Sequence, residues 1–343
     1  MAIANVGMTG GRGRIAKVQK RMLARLGGIL LAAVMAGGSV SSALALDFPT
    51  RLVRIIVPYA PGGSAAAQAR TLAEELSRIW KQQVIVEDKP GAGTTIGAAY
   101  VAGSAPDGYT LYLAGTSHTI SPSLYANIKY DPVKSFSPIS RLATSPFIWL
   151  VNPSLGVNSM ADFVALAKSK PGQMNYSTSG VGAGPHLAAE MMKSAGKIDI
   201  KHVPFRGSAP AMTALLGNVV EFSMGDVSAL STVKAGNLKA LAVTTAKRFS
   251  ELPDVPTLDE TIQKGLDVTN WSAILAPADM PPELVSFINS SITKALQSPD
   301  VRKLFQAQGF QPAPSTPEEL RDFMTAEVSK YRAVIETAGI KSE

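Results

Sequence analysis

Short runs of apolar, β-branched residues alternate along the chain with longer stretches in which apolar positions recur every three or four residues. Arg54-Ile-Ile-Val-Pro-Tyr59, Gln83-Val-Ile-Val-Glu87 and Tyr109-Thr-Leu-Tyr-Leu113 predict buried strands. Each precedes a turn and then a helical pattern. Across 65–80, Ala69, Leu72, Ala73, Leu76 and Trp80 fall on one helical face, and Arg70, Glu74, Glu75 and Arg78 on the other. The alternation returns as strands predicted at 147–151, 174–177, 200–203, 219–223 and 238–243, with helices at 159–170, 185–195, 208–217 and 226–235. Beyond Pro281 the pattern is helical, over 281–297, 299–308 and 317–338. Strands alternating with helices predict an α/β fold with mainly parallel sheets, and about eight strands suit two lobes better than one.

A chain of 343 residues with 46% hydrophobic and 17% charged residues can bury two cores and is not disordered. The net charge of +7 would point to nucleic acid or an anionic membrane if it were spread evenly. It is not. Residues 1–45 hold Arg12, Arg14, Lys17, Lys20, Arg21 and Arg25 and no acid, so the remainder is near neutral and no nucleic-acid partner is expected.

That basic stretch leads into the apolar run from Leu26 to Ala36 and the small-residue tail Ser41-Ser42-Ala43-Leu44-Ala45, the three parts of an export signal with cleavage after Ala45. Met8 and Met22 are alternative starts within it. A retained anchor is the weaker reading, because Gly27, Gly28, Gly37 and Gly38 keep the strongly apolar part below the ~18 residues that span a bilayer. The mature chain is therefore expected in the periplasm. The absence of Cys excludes disulfides, thiolate metal sites and a Cys nucleophile.

In open α/β sheets ligands sit at the carboxyl ends of strands. Three loops there are rich in Gly and hydroxyl residues. Tyr59-Ala60-Pro61-Gly62-Gly63-Ser64 runs from the first strand into the first helix, where backbone amides and the helix start make a seat for an anion. A plain turn capped by Ser64 explains that loop equally well. Ala114-Gly-Thr116-Ser117-His118 and Ser177-Thr178-Ser179-Gly180-Val-Gly182-Ala-Gly184 add hydroxyls and amides suited to a carboxylate. Gly91-Ala-Gly-Thr-Thr-Ile-Gly97 has the wrong glycine spacing for a dinucleotide fingerprint. Evidence for catalysis is thin. His118, His186 and His202 are scattered, His186 and Glu190 read as a helix-face pair, and no nucleophile elbow or Walker motif occurs. Arg206 and Asp226 follow strands and fit either ligand contact or an ion pair or cap, and Trp271 fits core packing slightly better than a cleft wall.

The run from Phe48 to Gly63, Ala69-Arg70, Val86-Glu-Asp-Lys-Pro-Gly-Ala-Gly93, Pro106-Asp-Gly-Tyr-Thr110, Tyr130-Asp-Pro132, His186-Leu187, His202-Val-Pro-Phe-Arg-Gly207, Leu238-Lys-Ala-Leu-Ala-Val-Thr244 and Leu252-Pro-Asp-Val-Pro-Thr257 resembles, in collinear order, the Bug (TctC) family of extracytoplasmic solute receptors. The resemblance implies a two-lobed, type II-like periplasmic binding protein with a hinge of crossing strands. Its lobes would be residues 46–147 with 270–343, and 148–269. It further implies capture of a small mono- or dicarboxylate and delivery to a tripartite tricarboxylate transporter, by a monomer without cofactor, metal or enzymatic activity. An orphan sensor, or less plausibly a secreted hydrolase or transferase, are the alternatives. The implied ligand residues are Tyr59, Ala60, Gly62, Gly63, Ser64, Thr178, Ser179, Gly180, Gly182, Gly184 and His186, with Thr116, Ser117, Phe205, Arg206 and Asp226 at the variable end. The family's Gly-Gly-x-x-Asp pattern is broken here by Ala66.

Overall fold

The computed structural model describes Met1, Ala2 and residues 47–340 apart from Ala60 and Gly62. The expected export signal lies outside the described residues. The chain divides into Met1–Asp47 and Phe48–Glu343, and the second unit carries all the elements below.

Two mixed sheets form its framework. The first has the order β11-β4-β10-β3-β1-β2, built from β1 (Val53–Val57), β2 (Val84–Asp88), β3 (Thr110–Gly115), β4 (Phe136–Pro146), β10 (Thr269–Pro277) and β11 (Gln311–Pro312). The second has the order β7-β6-β8-β5-β9, built from β5 (Ile148–Val151), β6 (Asn175–Thr178), β7 (Lys201–Pro204), β8 (Phe222–Gly225) and β9 (Lys239–Val243). The helices in chain order are α1 (Ser64–Trp80), α2 (Thr95–Ala102), α3 (Thr116–Leu124), α4 (Met160–Ser169), α5 (Gly184–Gly196), α6 (Ser208–Leu216), α7 (Leu230–Lys234), α8 (Leu258–Thr261), α9 (Pro282–Gln297), α10 (Pro299–Ala307) and α11 (Pro317–Ala338). None of the described helices is long and apolar enough to cross a membrane.

The expectation of mainly parallel sheets needs correction. β1 pairs in parallel with β2 and β3, and β6 with β7 and β8, as βα units demand. β10 runs antiparallel to both β3 and β4, and β5 antiparallel to both β8 and β9. These antiparallel members are the strands that enter or leave a sheet where the chain crosses to the other one. Eleven strands are present among the described residues, not eight, because β4, β10 and the two-residue β11 escape the hydrophobic pattern. β4 contains Pro138, Arg141 and four hydroxyl side chains, and β10 begins Thr-Asn-Trp-Ser.

The crossings meet at Thr244. Its hydroxyl accepts from the Phe147 amide (2.9 Å) and donates to the Val268 carbonyl (2.6 Å). Its own amide donates to the Phe147 carbonyl, and its carbonyl accepts from the Val268 amide. One fully buried threonine thus ties the β4–β5 passage to the start of the return path into β10. α11 spans the two halves of the core: Leu320 and Met324 pack with Trp271 and Tyr112, whereas Tyr331 and Ile335 pack with Trp149 and Tyr176.

Candidate functional site

The carboxyl ends of β1 and β3, the middle of β10 and the loop after β6 enclose a cavity of about 250 Å³. Its walls come from both sheets: Tyr59, Gly63, Ser64, Gln68, Thr116, Ser117, Asn270 and Ser272 on one side, Phe147, Ser179, Ala183, Gly184 and Asp226 on the other. A second cavity of about 750 Å³ adjoins it, sharing Gly63, Ser64, Asp226, Asn270 and Phe310.

Three helices begin at the inner cavity. The N-caps of α1, α3 and α5 are Gly63, Gly115 and Ala183, none of which supplies a side-chain cap. None of the three helices has an acidic residue in its first turn. Among the other helices Ser159 caps α4, and Thr257 and Thr316 form capping boxes on α8 and α11, whereas α2, α6, α7, α9 and α10 also begin without a side-chain cap. The unpaired amides and partial positive charge of three helix starts therefore face one small space. Among the described residues, no Lys, Arg or His lines either cavity. An anion there would be held by dipoles and hydroxyls, without a counter-cation.

The polar wall is rigid. Thr116 Oγ1 donates to Asn270 Oδ1 (3.1 Å) and accepts from the Trp271 amide (3.3 Å), while Asn270 Nδ2 donates to Ser145 Oγ (3.1 Å). Ser272 Oγ donates to Gln68 Oε1 (2.6 Å), both side chains being buried. Burial pushes the Tyr59 phenol up to about 12, against the opposing effect of its hydrogen bond with Ser117, so it is a neutral donor at physiological pH. Gly115 is required by space: a Cβ there would stand 2.7 Å from Tyr59 Oη and 3.2 Å from the Trp271 carbonyl. Trp271 is buried and donates Nε1–H to Glu327 Oε2 (3.2 Å), so it serves both core and cavity wall.

The loop after β6 is held from behind. Gly182, at φ +69°, donates its amide to His186 Nδ1 (3.0 Å), which makes that nitrogen the unprotonated one. Thr178 Oγ1 lies 2.7 Å from His202 Nε2 and accepts from the Gly180 amide (3.3 Å). Burial lowers His186 to about 4 and His202 to about 3, the next cause being the Lys193 charge for the former and the neighbouring imidazole for the latter.

Of the residues expected from sequence, Tyr59, Gly63, Ser64, Thr116, Ser117, Ser179, Gly184 and Asp226 line the inner cavity. Ala60 and Gly62 lie outside the described residues. Thr178, Gly180, Gly182 and His186 shape the loop without lining the cavity. Phe205 stands behind it, its amide donating to the Thr178 carbonyl, and exposed Arg206 lies away from both cavities. Ser64 makes no cap; it is the first residue of α1. Gln68, Phe147, Asn270 and Ser272 were missed. The buried amide of Gln68 on the otherwise apolar face of α1 was the one legible signal among them. Ala66, where the family pattern has Asp, is buried and outside both linings.

Two sheets joined by crossing strands, with an anion-seating cavity between their strand ends, define a two-lobed α/β solute-binding protein. Comparison with known proteins agrees. The model of the tripartite tricarboxylate transporter family receptors (TctC) matches residues 68–340, and the chain belongs to this family of periplasmic solute receptors. Protein BugT of Bordetella pertussis is 34% identical over 324 residues, 94% of this chain and 98% of its own. Among solved structures, a Rhodopseudomonas palustris protein with adipate is 32% identical with a TM-score of 0.76, covering 86% of this chain and 99% of its own. MatC from the same species, with bound malate, is 29% identical with a TM-score of 0.71, covering 84% and 100%.

Proposed function

We propose that this chain captures a small carboxylic acid between its two lobes and hands it to the membrane subunits of a tripartite transporter, acting by binding and not by turnover. The observation that carries the reading is the convergence of three uncapped helix starts on one cavity of about 250 Å³ with no lining cation among the described residues. In this reading residues 46–147 with 270–343 and residues 148–269 close on the acid, pivoting where Thr244 ties the crossings. Closure sequesters the solute and forms the surface that the transporter recognises. The export signal is removed after Ala45, and the mature receptor works as a monomer in the periplasm. The carboxylates bound in two structural neighbours support the ligand class.

The test is a thermal-shift screen of the exported protein against mono-, di- and tricarboxylates, with amino acids and sugars as controls. A ligand at a hundredfold its Kd adds ~2.7 kcal/mol to stability, a clear rise in midpoint. Stabilisation by neutral sugars together with silence from every acid would overturn the reading.

A further inference from the structure

We infer that the acid taken by this cleft is a monocarboxylate whose far end carries a hydrogen-bond donor, a hydroxyl or an ammonium, directed at Asp226. The inference rests on the carboxylate reading above and narrows it. Among the described residues lining the inner and outer cavities, Asp226 is the only Asp, Glu, Lys, Arg or His. It lines both, so it stands where a ligand seated on the helix starts would extend its tail.

Its carboxylate is fixed there. Oδ2 accepts from Ser208 Oγ at 2.6 Å and Oδ1 from the Ser228 amide at 2.9 Å. Each oxygen retains acceptor capacity, because a carboxylate offers about four lone-pair sites. The bond to Ser228 makes Asp226 the cap of the short 3₁₀ turn Val227–Ala229. Capping alone does not call for a charge, since Ser, Thr or Asn would cap as well. What Asp adds is a tethered negative charge in a cleft that has no compensating cation among the described residues.

The consequence for ligand choice follows from sign. A second carboxylate on the ligand would meet Asp226 at short range in a partly dehydrated space, which disfavours binding. A hydroxyl or ammonium would gain a charge-assisted hydrogen bond at the same place. The remaining polar wall of the outer cavity is neutral, with hydroxyls of Ser64, Ser208, Ser228 and Ser231. It can solvate such a tail without supplying the cation that a diacid needs.

The test is calorimetry on the exported protein with two matched series: hexanoate, its ω-hydroxy and ω-amino derivatives and adipate, then butanoate, its ω-hydroxy and ω-amino derivatives and succinate. An ω-substituted acid is expected to bind at least about tenfold tighter than its parent, with the diacid weakest. In Asp226→Asn, which keeps a capping side chain, the ω-amino advantage should collapse and the diacid should gain. Asp226→Ser serves the same purpose if the Asn variant does not fold. A wild-type protein that prefers the diacids, or an Asp226→Asn variant with an unchanged ranking, overturns the inference and leaves the carboxylate reading standing. Silence from all eight acids also overturns the inference, while the carboxylate reading is decided by the wider thermal-shift screen.

Discussion

The imidazole rings of His186 and His202 stack 3.9 Å apart, 13° from parallel, behind the loop that contributes Ser179, Ala183 and Gly184 to the cavity. Each ring holds one end of that loop, His186 through the Gly182 amide and His202 through Thr178. Stacked so closely, both rings cannot carry charge without mutual repulsion, and Nδ1 of His186 must stay unprotonated to accept.

This arrangement makes stability depend on pH with a defined sign. Folding depresses the His186 pKa from its usual ~6.5 to about 4, so below the unfolded value the unfolded state binds more protons and stability falls as the pH drops. The loss begins near pH 6.5 and is complete near pH 4 for His186, continuing toward pH 3 for His202. A depression of this size corresponds to roughly 3 kcal/mol at full titration. His186→Asn retains an acceptor close to the Nδ1 position and cannot be protonated. Urea unfolding of both proteins from pH 7 to pH 4 should show a steeper fall for the wild type; parallel curves would mean that His186 is charged in the folded protein.

Part of this site was legible in the sequence, and part depended on pairing that no local pattern records. The Gly-rich loops announced themselves because strand, glycine and helix follow one another within a few residues, as at Tyr59 to Ser64. His186 was legible as a residue near the loop but not as its support, because its bond to Gly182 and its stacking on a ring sixteen residues away arise from the fold. Asn270 and Ser272 were hidden for a different reason. They sit on β10, which is buried on both faces, Trp271, Ala273 and Leu275 packing in one core cluster and Ile274 and Ala276 in another, so no alternation of apolar and polar positions marks them. β4 and β10 are assigned no element by the sequence pattern, and their antiparallel pairing emerges only in the fold.

Thr244 offers a test of the crossing. Replacing it with the nearly isosteric Val leaves the buried Phe147 amide and Val268 carbonyl without their hydroxyl partner. Each unsatisfied group costs about 1 to 3 kcal/mol, so Thr244→Val should lose about 2 to 4 kcal/mol in urea unfolding. A loss under ~0.5 kcal/mol would show that the hydroxyl is not what joins the crossings.

Ser179 reports on the loop itself. Among the described residues its carbonyl accepts from the Gly207 amide, while its hydroxyl has no protein partner and its side lines the cavity. Ser179→Ala should weaken binding of the best acid by about 1 to 3 kcal/mol with little change in melting temperature. Unchanged affinity by calorimetry would place Ser179 outside the ligand contacts.

The sharpest test of the helix-start argument sets stability against binding. Ala65 is in the first turn of α1, half-buried at the cavity wall, where a carboxylate would complement the macrodipole. In the empty protein Ala65→Asp should therefore be neutral or stabilising by about 0.3 to 1 kcal/mol, since the helix start has no cap and no acid of its own. In the presence of a carboxylate the same charge occupies the seat's field and repels the ligand, and affinity should fall by at least about tenfold. Opposite signs are the signature. A merely disruptive substitution would lower melting temperature and affinity together, and a seat that did not depend on the helix start would keep its affinity. Melting curves of the free variant beside calorimetry with the best-binding acid separate these three outcomes.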